Sequence, residues 1–264
     1  MSTKIQATHV SKSFPSGTRT VRALEDFSLT VEEGEFLCIV GPSGCGKSTF
    51  LRILAGLTEL NSGEVRILQG QDSEKPLTSV VFQEYAIFPW KTVVENVAFG
   101  LKMRGIDLKK RHTQAMDWLA KVGLLDFAQA YPFQLSGGMK QRVSIARAFA
   151  NDPDVLLMDE PLGALDAQTR AVLQEELLRI WEQDRKTVVY ITHSIEEALL
   201  LGDRVVLMTA RPGMFKAEYK VSFPRPRHYR LTSTPEFGEL SYRIWEALQM
   251  EVRTAMKEQI CKPG

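Results

Sequence analysis

The chain has 264 residues, 44% of them hydrophobic and 25% charged, a balance that predicts a packed core of one α/β domain with an inserted subdomain. Its formal net charge of +1 argues against a nucleic-acid partner, because such a surface leaves a domain clearly basic. The opening Met1-Ser2-Thr3-Lys4-Ile5-Gln6 lacks the apolar core of a signal peptide, and no run approaches the roughly 20 apolar residues that span a bilayer. Cys38, Cys45 and Cys261 form no CxxC pair, so they predict a reducing compartment with neither a disulfide framework nor a zinc site.

In chain order, Ile5–Val10 and Phe27–Val31 read as strands. A turn at Glu33-Gly34-Glu35 leads into the buried strand Phe36–Val40, and the glycine-rich run from Gly41 to Gly46 precedes a helical pattern from Lys47 through Leu54. Strand, glycine loop and helix occur in the order that a phosphate-binding unit needs. From about Tyr85 to Asn151 the periodicity is helical without strands, over 93–104, 109–122 and 138–150, which predicts a helical subdomain inserted at about 85–151. Alternation then resumes with strand 155–158, helix 167–183, strand 187–191, helix 195–201 and strand 204–208. The expected fold is therefore α/β, with a mostly parallel sheet, an N-terminal antiparallel β region and the helical insertion. One domain is expected over 1–222 and a tail over 223–264, in which Phe223-Pro224-Arg225-Pro226-Arg227 is a proline-stiffened basic segment and 235–257 one amphipathic helix.

Three segments carry chemistry. Gly41-Pro42-Ser43-Gly44-Cys45-Gly46-Lys47-Ser48-Thr49 fits the P-loop pattern, in which backbone N–H groups cradle phosphate oxygens, Lys47 sets a point charge on the β- and γ-phosphates and the Ser48 hydroxyl ligates Mg²⁺. Its other reading, a glycine-rich turn with an incidental lysine, is disfavoured by its place between strand and helix. Val155-Leu156-Leu157-Met158-Asp159-Glu160 ends an apolar strand on two carboxylates: Asp159 to hold the Mg²⁺ shell, Glu160 to take the proton of an attacking water. Read alone, such a pair is as often a solvated turn; following a P-loop in the same chain, it is not. Leu135-Ser136-Gly137-Gly138-Met139-Lys140-Gln141-Arg142 opens a second helix N-terminus fit for an anion, or else is an ordinary serine cap. One chain has no evident need for two such anion sites, whereas a head-to-tail dimer needs both.

In this order the segments resemble the nucleotide-binding subunit of ATP-binding cassette transporters, a P-loop NTPase, over about Lys4 to Gly213. The signature Leu135-Ser136-Gly137-Gly138 matches, with Met139 where many members have glutamine. The resemblance implies further roles: Gln83 as the glutamine that senses Mg²⁺ and the γ-phosphate, Ala164-Leu165-Asp166 as the loop bridging the halves of a dimer, and His193 as the switch histidine at the γ-phosphate. Phe14 lies where the family keeps its adenine platform, a core aromatic being the other reading. Ser194-Ile195-Glu196-Glu197 is also a capping-box pattern, so His193 has a context that needs no catalysis.

Long coiled coils, zinc modules, a second cassette and fused membrane helices, which mark other branches, are absent from the sequence. The resemblance implies a peripheral importer subunit on the cytoplasmic face of the inner membrane. It would form a homodimer sandwiching two ATP, with separate transmembrane permease subunits and a solute-binding protein as partners and Mg²⁺ as cofactor. The tail segments Phe223 to Arg227 and Glu236-Phe237-Gly238-Glu239-Leu240 resemble the nitrate, sulfonate and taurine group, although the Pro-Arg stretch also reads as an exposed linker. Tyr85 to Lys91, with Phe88 and Trp90, is the expected permease-facing surface, burial in the subdomain being the alternative. A soluble cassette ATPase serving an assembly process shares every catalytic motif, whereas a P-loop small-molecule kinase leaves the signature unexplained.

Overall fold

The computed structural model describes residues 2–17, 19–70 and 75–260, and Cys261 lies outside them. The chain divides into two units, one formed by the segments up to Leu68 and from Arg185 onward, the other by Gln69–Asp184.

The first unit opens with β1 (Thr3–Ser16) and β2 (Arg19–Glu32), paired antiparallel over much more of the chain than the two short expected strands. A tight turn at Gly34 (φ 73°) then sends the chain into β3 (Phe36–Val40), whose five residues are all buried. The P-loop follows, then α1 (Lys47–Leu54) and β4 (Ser62–Ile67), which joins β1 on its other edge.

In the second unit, β5 (Thr78–Val81) precedes α2 (Val93–Val97), α3 (Phe99–Met103), α4 (Leu108–Lys121) and α5 (Gly137–Ala150). Then come β6 (Val155–Asp159), parallel to β5, and α6 (Ala167–Asp184), which buries Trp181 completely. The single helix expected over 93–104 is thus two short ones, with Ala98 closing the first and opening the second. Its break sits beside Gly100, where a β-carbon would lie 2.8 Å from the Asn151 side chain.

Back in the first unit, β7 (Thr187–Ile191), α7 (Ile195–Leu201), β8 (Arg204–Met208) and β9 (Phe215–Lys220) follow, and α8 (Pro235–Ile260) ends the described chain. Here β7 and β8 flank β3 in parallel, and β9 adds an antiparallel edge. The structure has the expected α/β fold, with mostly parallel strands in the core and an antiparallel N-terminal sheet. β4, β5 and β9 were not expected. All three are short, and in β9 (Phe215-Lys216-Ala217-Glu218-Tyr219-Lys220) and at the end of β4 (Glu64-Val65-Arg66-Ile67) the period-2 alternation is present over too few residues to stand out.

The tail is not an exposed linker. Arg227 is buried, and its guanidinium donates to five backbone carbonyls, those of Leu199, Leu200, Gly202, Val221 and Phe223. Arg225 donates to Leu201 O and Asp203, Phe223 stacks on Phe237, and Ile244 of α8 is fully buried. Arginine's planar fork satisfies several acceptors at once, which a flexible ammonium does less well.

In the second unit Asn96, fully buried on α2, organises the segment before its helix. Its side chain accepts from Phe88 N and donates to the carbonyls of Phe88, Lys91 and Thr92. Asn96→Ala strands those groups, and denaturant titration is expected to show a loss of about 1–3 kcal/mol.

Candidate functional site

In the first unit, Val40 delivers the chain into Gly41, and the loop closes on α1. Gly46 is the tightest point. Its φ is 114°, and a β-carbon there would lie 2.5 Å from Ala23 O. Gly44 also has positive φ (72°), and a β-carbon on Gly41 would lie 2.9 Å from Cys45 Sγ. Lys47 is buried at 5% exposure, and its Nζ donates to Gly41 O and Pro42 O, both at 2.9 Å, so the charge sits inside the loop. Ser48 and Thr49 follow in the first turn of α1, which carries no acidic side chain to compete for the helix's positive end. Arg211 braces the loop from outside through two N–H bonds to Gly44 O, a contact that the sequence did not announce because the residues are 167 apart. Burial pushes the Cys45 thiol up, so it stays protonated and serves as packing.

Strand pairing brings a second residue to this loop's end of the sheet. Ile39 of β3 pairs with Ile191 of β7, so Gly41 and His193 each lie two residues beyond paired positions on adjacent parallel strands. Carboxyl ends of parallel strands are where ligands bind in α/β sheets. His193 is exposed there. Phe14 lies on the separate N-terminal sheet, 40% exposed, with Lys12 Nζ 5.1 Å from its ring centre, so the core-aromatic reading fails.

The second unit repeats this arrangement. Val81 of β5 pairs with Met158 of β6, so Gln83 and Glu160 each follow two residues beyond a paired position. Asp159 ends β6 and is buried, whereas Glu160 turns the chain with a φ of 44°. A non-glycine residue in that region costs energy and marks a turn that the surroundings enforce. Gly163 N–H closes the turn by donating to Glu160 O at 3.0 Å.

At the signature, Ser136 caps α5 by accepting Met139 N–H at 3.3 Å. The two glycines after it lie close to neighbouring side chains: a β-carbon on Gly137 would lie 2.8 Å from the Tyr85 hydroxyl, and one on Gly138 2.9 Å from Thr169 Cγ2. Thr169 belongs to α6, which Asp166 opens by accepting Thr169 N–H at 3.0 Å. That bond holds the Asp166 carboxyl below its ordinary range. The unit therefore brings the signature and the Asp166 loop together. The capping box expected at Ser194 forms only in part. Ser194 accepts Glu197 N–H, but the Glu197 side chain turns to the Thr192 hydroxyl, which in turn accepts Ser194 N–H.

Among the described residues no group of three or more His, Cys, Asp or Glu side chains is set to hold a metal. The expected set of Ser48, Gln83 and Asp159 offers only oxygen ligands, which suits Mg²⁺ held jointly with a triphosphate and not a cation caged by protein alone.

Comparison with known proteins gives a consistent picture. The ABC transporter family model matches residues 24–163. An uncharacterized ABC transporter ATP-binding protein of Methanocaldococcus jannaschii is 48% identical over 97% of this chain and 96% of its own length. The taurine import ATP-binding protein of Rhizobium johnstonii is 46% identical, covering 86% of this chain and 88% of its own. For the nitrate import ATP-binding protein of Synechocystis the figures are 43%, 93% and 95%. Among solved structures, a dimeric ATP-binding cassette in a post-hydrolysis state with ADP and Pi superposes with a TM-score of 0.73 at 34% identity, over 83% of this chain and all of the other.

Gly46→Ala puts a β-carbon against the Ala23 carbonyl at a φ that L-residues avoid. Nucleotide titration is expected to show binding lost, at an energetic cost of at least about 1–3 kcal/mol to the native loop. Lys47→Ala removes the charge together with its two hydrogen bonds to the loop carbonyls, so affinity should fall about ten- to hundredfold.

Proposed function

This chain belongs to the ABC transporter family and is an ATPase, and on that premise we propose that it drives import of a small oxoanion through separate permease subunits. The observation that carries the reading is the pair of glycine-opened helix N-termini, at α1, where a β-carbon on Gly46 would meet backbone, and at α5, where the glycines lie close to the Tyr85 and Thr169 side chains. A head-to-tail homodimer uses both, each P-loop holding an ATP and each signature serine meeting the partner's nucleotide. Ser136 Oγ accepts a backbone N–H within its own helix, which leaves the hydroxyl proton for a phosphate oxygen.

In this reading Phe14 stacks on adenine, the Gly41–Ser48 backbone cradles the phosphates, and Lys47 neutralises charge on the β- and γ-phosphates. Ser48, Gln83 and Asp159 would hold Mg²⁺, which would neutralise phosphate charge when bound. Glu160 takes the proton of the water attacking the γ-phosphate, and the His193 ring stabilises the charge that develops there. The products are ADP and phosphate. Asp166 lies at the dimer seam.

The permease surface lies on the helical unit. Trp90 is 69% exposed beside Phe88, which packs on Phe99, and a groove of about 130 Å³ runs past Lys91, Glu95, Phe99 and Lys102. Its apolar floor and basic rim suit an acidic-tipped helix of a membrane partner. No helix among the described residues is long and apolar enough to cross a membrane, which fits a peripheral subunit on the cytoplasmic face. The oxoanion class rests on the taurine and nitrate relatives, which also disfavour a soluble assembly ATPase; a solute-binding protein completes the importer.

Glu160→Gln keeps shape and hydrogen bonding but removes the proton acceptor. Turnover should fall about 10²–10⁴-fold with ATP still bound and an ATP-dependent dimer accumulating on size exclusion. Near-normal turnover would exclude Glu160 as the base. For transport, uptake of labelled taurine and nitrate by cells with and without the gene, beside co-purification with a polytopic membrane protein, decides between importer and assembly factor.

A further inference from the structure

α7 is seven residues long, and both of its ends are fastened by side chains that the catalytic reading leaves unused. At its N-terminal end, the Thr192 hydroxyl accepts Ser194 N–H at 3.0 Å and donates to the Glu197 carboxylate, so one buried oxygen closes the turn around His193. Thr192 and Glu197 are 1% and 4% exposed. At the C-terminal end, the Arg227 guanidinium donates to Leu199 O, Leu200 O and Gly202 O, three carbonyls that the helix itself leaves without partners.

We propose that Thr192, Glu197 and Arg227 are positioning residues that fix the His193 turn, so that the Pro-Arg tail sets the geometry of the switch histidine through α7. This rests on His193 acting at the γ-phosphate. An imidazole carried on an exposed turn must be held within a fraction of an ångström to stabilise charge that exists only in the transition state. Arg227 contributes no atom to nucleotide binding in this scheme. It removes the freedom of the helix that follows His193.

Thr192→Val deletes the hydroxyl at nearly constant volume. It should lower kcat by about ten- to hundredfold while ATP affinity, set by the P-loop, stays within about twofold. Thr192→Ser should restore kcat. In a His193→Ala background, Thr192→Val should cost nothing further, because the residue it positions is gone. Arg227→Lys should follow the same pattern, and it carries the test if Thr192→Val does not fold. Wild-type kcat in Thr192→Val, or a loss that multiplies with His193→Ala, overturns the proposal while leaving the ATPase reading intact. Normal turnover in His193→Ala alone also overturns the proposal, by removing its premise that His193 acts at the γ-phosphate.

Discussion

Where the P-loop turns, there is no room for a side chain, and much of the site depends on that. Gly46 faces the Ala23 carbonyl, Gly41 faces Cys45 and Met208, and a β-carbon on Gly213 would lie 2.2 Å from Cys45 O. The loop is therefore clasped by β2 on one side and the segment after β8 on the other. That clasp fixes N–H directions before any nucleotide arrives, so the reorganisation cost of binding a polyanion is met during folding. Lys47 completes it, its ammonium held by two loop carbonyls.

The same economy recurs at the strand ends. Gly41 and His193 leave one pair of parallel strands two residues past the pairing, and Gln83 and Glu160 leave another pair in the same way. Parallel pairing aligns carboxyl ends, so residues distant in sequence emerge side by side without any dedicated contact. Chemistry is placed here by register. At the signature the Tyr85 and Thr169 side chains instead lie close over the glycines.

How much of this the sequence discloses depends on how local each signal is. The P-loop, the Asp159–Glu160 strand end and the signature are contiguous, and the buried strands β3, β6, β7 and β8 are unbroken apolar runs, so all were legible. β4 and β9 were missed although the signal was there: Glu64-Val65-Arg66-Ile67 and Phe215-Lys216-Ala217-Glu218-Tyr219-Lys220 both alternate polar with apolar, but each run is only a few residues long. The capping box at Ser194 misled because Thr192, just outside the motif, competes for the Glu197 carboxylate with a better-placed hydroxyl. Arg227 was illegible for a different reason: its partners are backbone carbonyls as many as 28 residues upstream, and carbonyls carry no letter in a sequence.

The placement of Arg227 also bears on where this protein can be cut. A chain ending at residue 222 would retain the P-loop, the signature, both carboxylates and His193. It would nonetheless expose the carbonyls of Leu199, Leu200 and Gly202 and lose Phe237 and Ile244 from their packing. The tail is thus held to the first unit by contacts that no motif announces. Truncations, tags or fusions belong beyond α8, not at the proline-rich stretch that looks like a natural seam.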